Sequence, residues 1–192
     1  MAKRYDQMFP LIDQVKPRRI IEIGVHRGIR AAKLCARALE HRGLVRYTGF
    51  DVFDTMNAEF QEQALNGKGA PNEQQAKARL LSLGGGLKFE FAIGDTRKTL
   101  HGTEQMVDFA FIDGDHRVDA IAGDYAAVAG ADCVVFDDYY RPDENGHLPD
   151  LALYGANATV DALAAAGRRV EILPAGDRCK HGGYSHLAVV WK

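Results

Sequence analysis

Arg19-Ile20-Ile21-Glu22-Ile23-Gly24-Val25-His26-Arg27-Gly28 is the stretch on which the fold turns. Its first five residues are mostly isoleucine and read as a short buried strand. Gly24 permits a tight turn, and Gly28 lets a ligand or the following helix approach the backbone closely. The alanine-rich segment 28–41 then reads as a helix. The same alternation continues along the chain. Further strands are predicted at 47–50, 88–93, 109–112, 133–136, 169–173 and 186–191, and further helices at 72–83 and 157–166. Val118, Ile121, Tyr125 and Val128 recur at spacings of three and four, one face of an amphipathic helix that belongs to the core.

Strands alternating with helices predict a single α/β domain over 1–192, a doubly wound and mostly parallel sheet covered on both faces. Residues 174–184 contain glycine and no helical pattern, and are too short for a parallel crossover. The last of the seven strands should therefore run antiparallel. The segment 53–86, broken by Asn66-Gly67-Lys68-Gly69-Ala70-Pro71, reads as an insertion or lid.

The composition fits this. A chain of 192 residues is roughly 1.3 domains by length, and 46% hydrophobic with 26% charged residues is ordinary for a globular protein. Lys plus Arg number 24 against 26 Asp plus Glu, a net charge of −2, which supplies no field to gather nucleic acid or anionic lipid. Cys35, Cys133 and Cys179 form no C-x-x-C pair, so reduced thiols are expected rather than disulfides or a thiolate zinc site. There is neither an apolar leader after Met1 nor an 18-residue apolar run, and a cytoplasmic location is expected, with no membrane partner.

In a sheet of this class, ligands bind beyond the carboxyl ends of the strands. The residues found there are informative. After the first strand, Gly24 and Gly28 shape a loop in which His26 fills the middle glycine position of a dinucleotide fingerprint. That loop suits an amino-acid moiety better than a pyrophosphate. Asp51 ends the second strand, 29 residues after Glu22, where an acid would accept ribose hydroxyls. Asp95 and Thr96 follow the third strand, beside an expected adenine, although Asp95 would equally cap a helix. Asp113-Gly114-Asp115-His116 follows the fourth strand and Asp137-Asp138-Tyr139-Tyr140-Arg141 the fifth. Carboxylates crowded at one edge repel unless a cation neutralises them, and a hard divalent ion such as Mg²⁺ would serve.

In this order, these motifs resemble the class I S-adenosylmethionine-dependent methyltransferases, in particular the metal-dependent O-methyltransferases acting on catechols and on macrolide or antibiotic sugars. The resemblance runs from about residue 18 to the end. It implies a strand order 3-2-1-4-5-7-6 with strand seven antiparallel. It assigns Glu22, Gly24, Gly28, Asp51, Asp95, Thr96 and Asp113 to S-adenosylmethionine. Asp113, Asp137 and Asp138 would hold Mg²⁺ or another divalent cation. Asp115 or His116 would be the base. Tyr139, Tyr140 and Arg141 would line the pocket of a small-molecule acceptor, a sugar diol or a catechol. Only about 18 residues precede the first strand, so covering elements there are short or missing, and a second subunit is one way to close the acceptor site. Asp138 stands where catechol enzymes carry Asn, which favours the sugar-type relatives.

Other readings stay open. Asp113-x-Asp115 also resembles the magnesium motifs of haloacid-dehalogenase-type phosphatases and of nucleotide-sugar glycosyltransferases. The phosphatase motif belongs on a first strand, and the glycosyltransferase reading leaves 22–28 unexplained. A non-catalytic S-adenosylmethionine-binding module is a third reading. No basic and aromatic stripe points to nucleic acid.

Overall fold

The computed structural model describes residues 3–53, 70–180 and 182–192. Among them, seven strands form one sheet: β1 (Arg19–Ile23), β2 (Val45–Asp51), β3 (Leu87–Ile93), β4 (Phe109–Ile112), β5 (Cys133–Arg141), β6 (Arg169–Arg178) and β7 (Tyr184–Trp191). Their order is β3-β2-β1-β4-β5-β7-β6, with β1 to β5 parallel and β7 antiparallel to both its neighbours. This is the expected Rossmann-like arrangement. The helices are α1 (Met8–Val15), α2 (Ile29–His41), α3 (Glu73–Leu81), α4 (Thr96–Thr99), α5 (Val118–Val128) and α6 (Asn157–Ala165), with a 3₁₀ turn at Arg4–Gln7.

The alternation of side chains along the central strands divides the core into two layers. Ile20, Tyr47, Phe109 and Phe111 face the layer that α1 and α2 cover. Ile21, Ile23, Ala110 and Ile112 face the layer of Ile121, Val128 and Val160 from α5 and α6. Helix α2 buries Ala31, Leu34, Cys35 and Ala38 along one stripe, the i, i+3, i+4, i+7 pattern of a core-facing helix. Trp191 and Cys133 are core residues, as expected. Among the described residues no helix is long and apolar enough to cross a membrane.

Three local features differ from the sequence reading. Most of the connection expected at 174–184 is ladder: β6 runs on to Arg178 and β7 begins at Tyr184. Pairing slips between Ile172 and Gly176, which absorbs Pro174, a residue without an N–H to donate. Strand β5 likewise continues past its apolar run to Arg141, through a register shift between Phe136 and Tyr139. Helix α1 was not foreseen; Met8, Leu11 and Ile12 bury its apolar face. Of the expected lid, 54–69 lie outside the described residues, and its second half is α3, which packs against α2.

Candidate active site at the carboxyl edge of the sheet

The polar strand-end residues gather at one rim. Gly24 stands at φ +90°, and a Cβ there would overlap the Asp113 carbonyl and lie 2.9 Å from the Gly114 nitrogen. The turns after β1 and β4 are therefore in backbone contact, locked by Asp113 N–H to Ile23 O (2.7 Å), while Gly24 N–H to Phe50 O (2.9 Å) ties the β1 turn to β2. Gly28, at φ +72°, is filled by a neighbour: its absent Cβ leaves room for Ala76 of α3, whose Cα would lie 2.7 Å away. The α3 N-cap Asn72 donates its backbone N–H to His26 O (3.0 Å), and Arg79 binds Arg27 O (2.8 Å), so α3 is docked on the glycine loop.

Asp51 organises that loop. Its Oδ2 accepts the His26 N–H at 2.6 Å and its Oδ1 the Phe53 N–H at 2.8 Å. His26 and Phe53 both have positive φ, 56° and 40°, conformations rarely adopted outside glycine. A nearly buried carboxylate thus holds two strained turns together, with the Val25 backbone N–H also bound to it, and of its four acceptor lone pairs not all are taken. Asp95 faces the same edge from the end of β3, but it caps the four-residue α4 and pairs with Arg97, while Thr96 begins that helix.

Glu22 is not at the rim surface. It is fully buried, and its Oε2 accepts the Tyr47 hydroxyl at 2.6 Å beneath the loop. Burial pushes its carboxyl up to about 8, against the opposing pull of Arg30 and Tyr47. The folded state therefore holds this proton more tightly than the unfolded chain. Its contribution to stability should be complete near pH 4.5 and below, and should fall by up to about 1.4 kcal/mol per pH unit towards pH 8 as the unfolded form ionises first. Urea titrations of the wild type and Glu22→Gln should differ by this slope, most cleanly between pH 5 and 6.5, below the range in which His116 adds a slope of its own to both. Parallel slopes would exclude it.

The carboxylates after β4 and β5 each meet a partner from this chain. Asp113 pairs with Arg30 of α2. Asp137 accepts Arg4 at 3.2 Å and the Tyr5 hydroxyl at 2.8 Å. Asp138, in the β5 irregularity at φ 54°, accepts the Ser185 hydroxyl at 2.6 Å, faces His116 Nδ1 at 3.0 Å and lies 3.5 Å from Arg4. Burial and the adjacent Asp113 and Asp138 charges push Asp137 well above the usual carboxylate range. Asp138 is held below it, since His116 and Ser185 outweigh its burial.

The two candidate bases separate here. Asp115 is bound by its neighbour Arg117, through Nε at 3.0 Å from each oxygen, which outweighs burial and keeps it ionised. His116 opposes Asp138; burial disfavours its charge, yet the Asp138 carboxylate raises it to about 9.

Asp113, Asp137 and Asp138, the expected cation set, do not form a ligand shell. Among the described residues no three His, Cys, Asp or Glu side chains converge on a point that could hold a metal ion. Guanidinium groups lie where an ion's charge would be needed, so in this arrangement the residues do not fit Mg²⁺. Asp137 Oδ1 is buried and accepts none of the hydrogen bonds that Arg4 and Tyr5 give to Oδ2. Of the expected acceptor residues, Tyr139 turns its hydroxyl to Asp161 (3.0 Å), Tyr140 packs into the space left by Gly155, and Arg141 is exposed at the strand end. Arg4, Tyr5, Arg30 and Ser185 are rim residues that motif reading passed over.

Comparison with known proteins identifies the family and the fold. A family model described as a methyltransferase domain matches residues 21–139. The fold is similar to a provisionally assigned O-methyltransferase from Klebsiella pneumoniae, 15% identical over 100% of this chain and 80% of that one, with a TM-score of 0.61. It is also similar to the O-methyltransferase TomG of Streptomyces achromogenes in complex with SAM, 20% identical over 98% and 79%, TM-score 0.56. The N-terminal domain of EvdMO1, solved in the presence of SAH and D-fucose, is 14% identical over 100% and 83%, TM-score 0.58. No protein with a curated description matches the sequence. With the family model covering Ile21 through Tyr139, and with it every turn of the rim from Gly24 to Asp138, the chain belongs to the methyltransferase-domain family.

Proposed function

We propose that this protein transfers the methyl group of S-adenosylmethionine to a hydroxyl oxygen of a small polyhydroxylated acceptor, a sugar diol in preference to a catechol. The observation that carries the reading is Asp51, a nearly buried carboxylate at the end of β2 that ties down the glycine loop and keeps acceptor capacity for the ribose. Gly24–Gly28 would hold the amino-acid end and Asp95 would border the adenine. When bound, the cofactor supplies an electrophilic methyl group on a sulfonium, so the chain's task is to align an oxygen with it and receive the hydroxyl proton.

His116 is the group for that proton in its neutral form, and since, despite burial, the Asp138 carboxylate raises it to about 9, methyl transfer should quicken as the pH rises towards that value. Asp138 fixes its Nδ1, which leaves Nε2 as the exchanging nitrogen, whereas Asp115 is committed to Arg117. A groove of about 580 Å³ lies beyond β5, lined by Asp143, His147, Arg178 and Cys179 among others, and it suits a polar acceptor. The groove adjoins the far ends of β5, β6 and β7, where Tyr184 pairs with both Arg141 and Arg178. The sugar preference is supported by the D-fucose present with EvdMO1 and by that polar lining. Asp113 and Asp115 are held by different arginines, so nothing here favours a D-x-D phosphatase or glycosyltransferase pair.

The test is a methyl-transfer screen with labelled S-adenosylmethionine against free and glycosidic sugars, catechols and amines. O-methylated sugar is the expected product. Labelling of amines alone, or of none of these in protein that binds the cofactor, contradicts the proposal.

A further inference from the structure

We propose that Arg4 and Arg30 are built-in counter-ions at the rim, standing where a divalent cation would, so that the folded protein excludes Mg²⁺ from Asp113, Asp137 and Asp138. This rests on the methyl-transfer reading only for the identity of the rim as the active site. Arg4 is only 8% exposed. Its guanidinium is shared among Asp137 (3.2 Å), Asp138 (3.5 Å), Asp177 (3.3 Å) and the Ser185 hydroxyl. Arg30 reaches Asp113 from the first turn of α2. The Tyr5 ring is near both cations, its centroid 4.6 Å from the Arg4 guanidinium carbon and 4.3 Å from that of Arg30, both within cation–π reach. Tyr5 adds a hydroxyl bond to Asp137.

The 3₁₀ turn that delivers Arg4 and Tyr5 is itself anchored. Gln7 donates to Ala175 O at 3.0 Å and accepts the Ala175 N–H at 2.8 Å, a two-bond clamp on the β6 backbone. A divalent ion with its octahedral oxygen shell would have to expel a buried guanidinium, leave Asp177 and Ser185 without their arginine, and find three converging oxygens that the described residues do not present. The pairings point the same way: Asp113, Asp137 and Asp138 already face Arg30, Arg4 and His116.

Mn²⁺ is the probe, titrated into the full chain and followed by calorimetry and by electron paramagnetic resonance of the free ion. The wild type should show no saturable site tighter than about 1 mM, the weak limit for oxygen-ligand sites. Arg4→Gln/Arg30→Gln should acquire one, lost again on adding Asp137→Asn, whereas Arg4→Lys should remain closed. If the double variant does not fold, Arg4→Gln is melted with and without Mn²⁺: the ion should raise its Tm and leave that of the wild type unchanged. A saturable wild-type site abolished by Asp137→Asn overturns the proposal, as do arginine variants that take up no more Mn²⁺ than the wild type. S-adenosylmethionine binding, measured in chelator, is a separate readout. Its failure would remove the functional reading and leave the cation result standing.

Discussion

Gly24→Ala should abolish S-adenosylmethionine binding and destabilise the protein by at least about 3 kcal/mol, from left-handed backbone strain together with forced separation of two turns. At φ +90° an L side chain is strained before any neighbour is considered. The added Cβ would also overlap the carbonyl of Asp113, backbone that cannot swing aside as a side chain would. The contact joins the ends of β1 and β4, so relief requires pulling apart the central pair of the sheet and displacing Asp113 from Arg30. Urea denaturation and calorimetry check the two halves separately. A variant with wild-type midpoint and affinity would show that the rim is looser than described.

Asp51→Ala should leave the sheet intact and remove cofactor binding by about 10²–10⁴-fold. That range follows from two hydrogen bonds to a charged acceptor at about 1.5–3 kcal/mol each. The loss has a second source. The His26 N–H bond at 2.6 Å restrains a residue at φ 56°, and without it the loop can relax away from the bound geometry. Asp51→Asn keeps one oxygen and should fall between the two. Affinity unchanged in Asp51→Ala would place the ribose elsewhere.

What was legible in advance follows from locality. Each strand and the turn after it are contiguous in sequence, so the apolar run ending in Gly24, Asp51, Asp113 or Asp137 announces both the element and its polar end. The strand-end rule then brings those ends to one rim without any knowledge of side-chain contacts. The counter-charges are not local. Arg4 meets Asp137 across 133 positions and Arg30 meets Asp113 across 83, and no spacing encodes such a pairing. The acids alone implied that some cation must compensate them. They did not say that the chain would provide it. The choice between Asp115 and His116 was equally hidden, because Arg117 takes the first and Asp138 the second. The length of β5 was underestimated because Asp137-Asp138 interrupts the apolar run, whereas the backbone carries the ladder onward beyond that irregularity.

The most direct measurement of the central claim is a crystal structure grown with S-adenosylhomocysteine. The account predicts both ribose hydroxyls at about 3 Å from the Asp51 carboxylate, with the amino-acid end lying along residues 24–28. Clear density for the ligand anywhere other than this edge of the sheet, or ribose hydroxyls bound without Asp51, would contradict it.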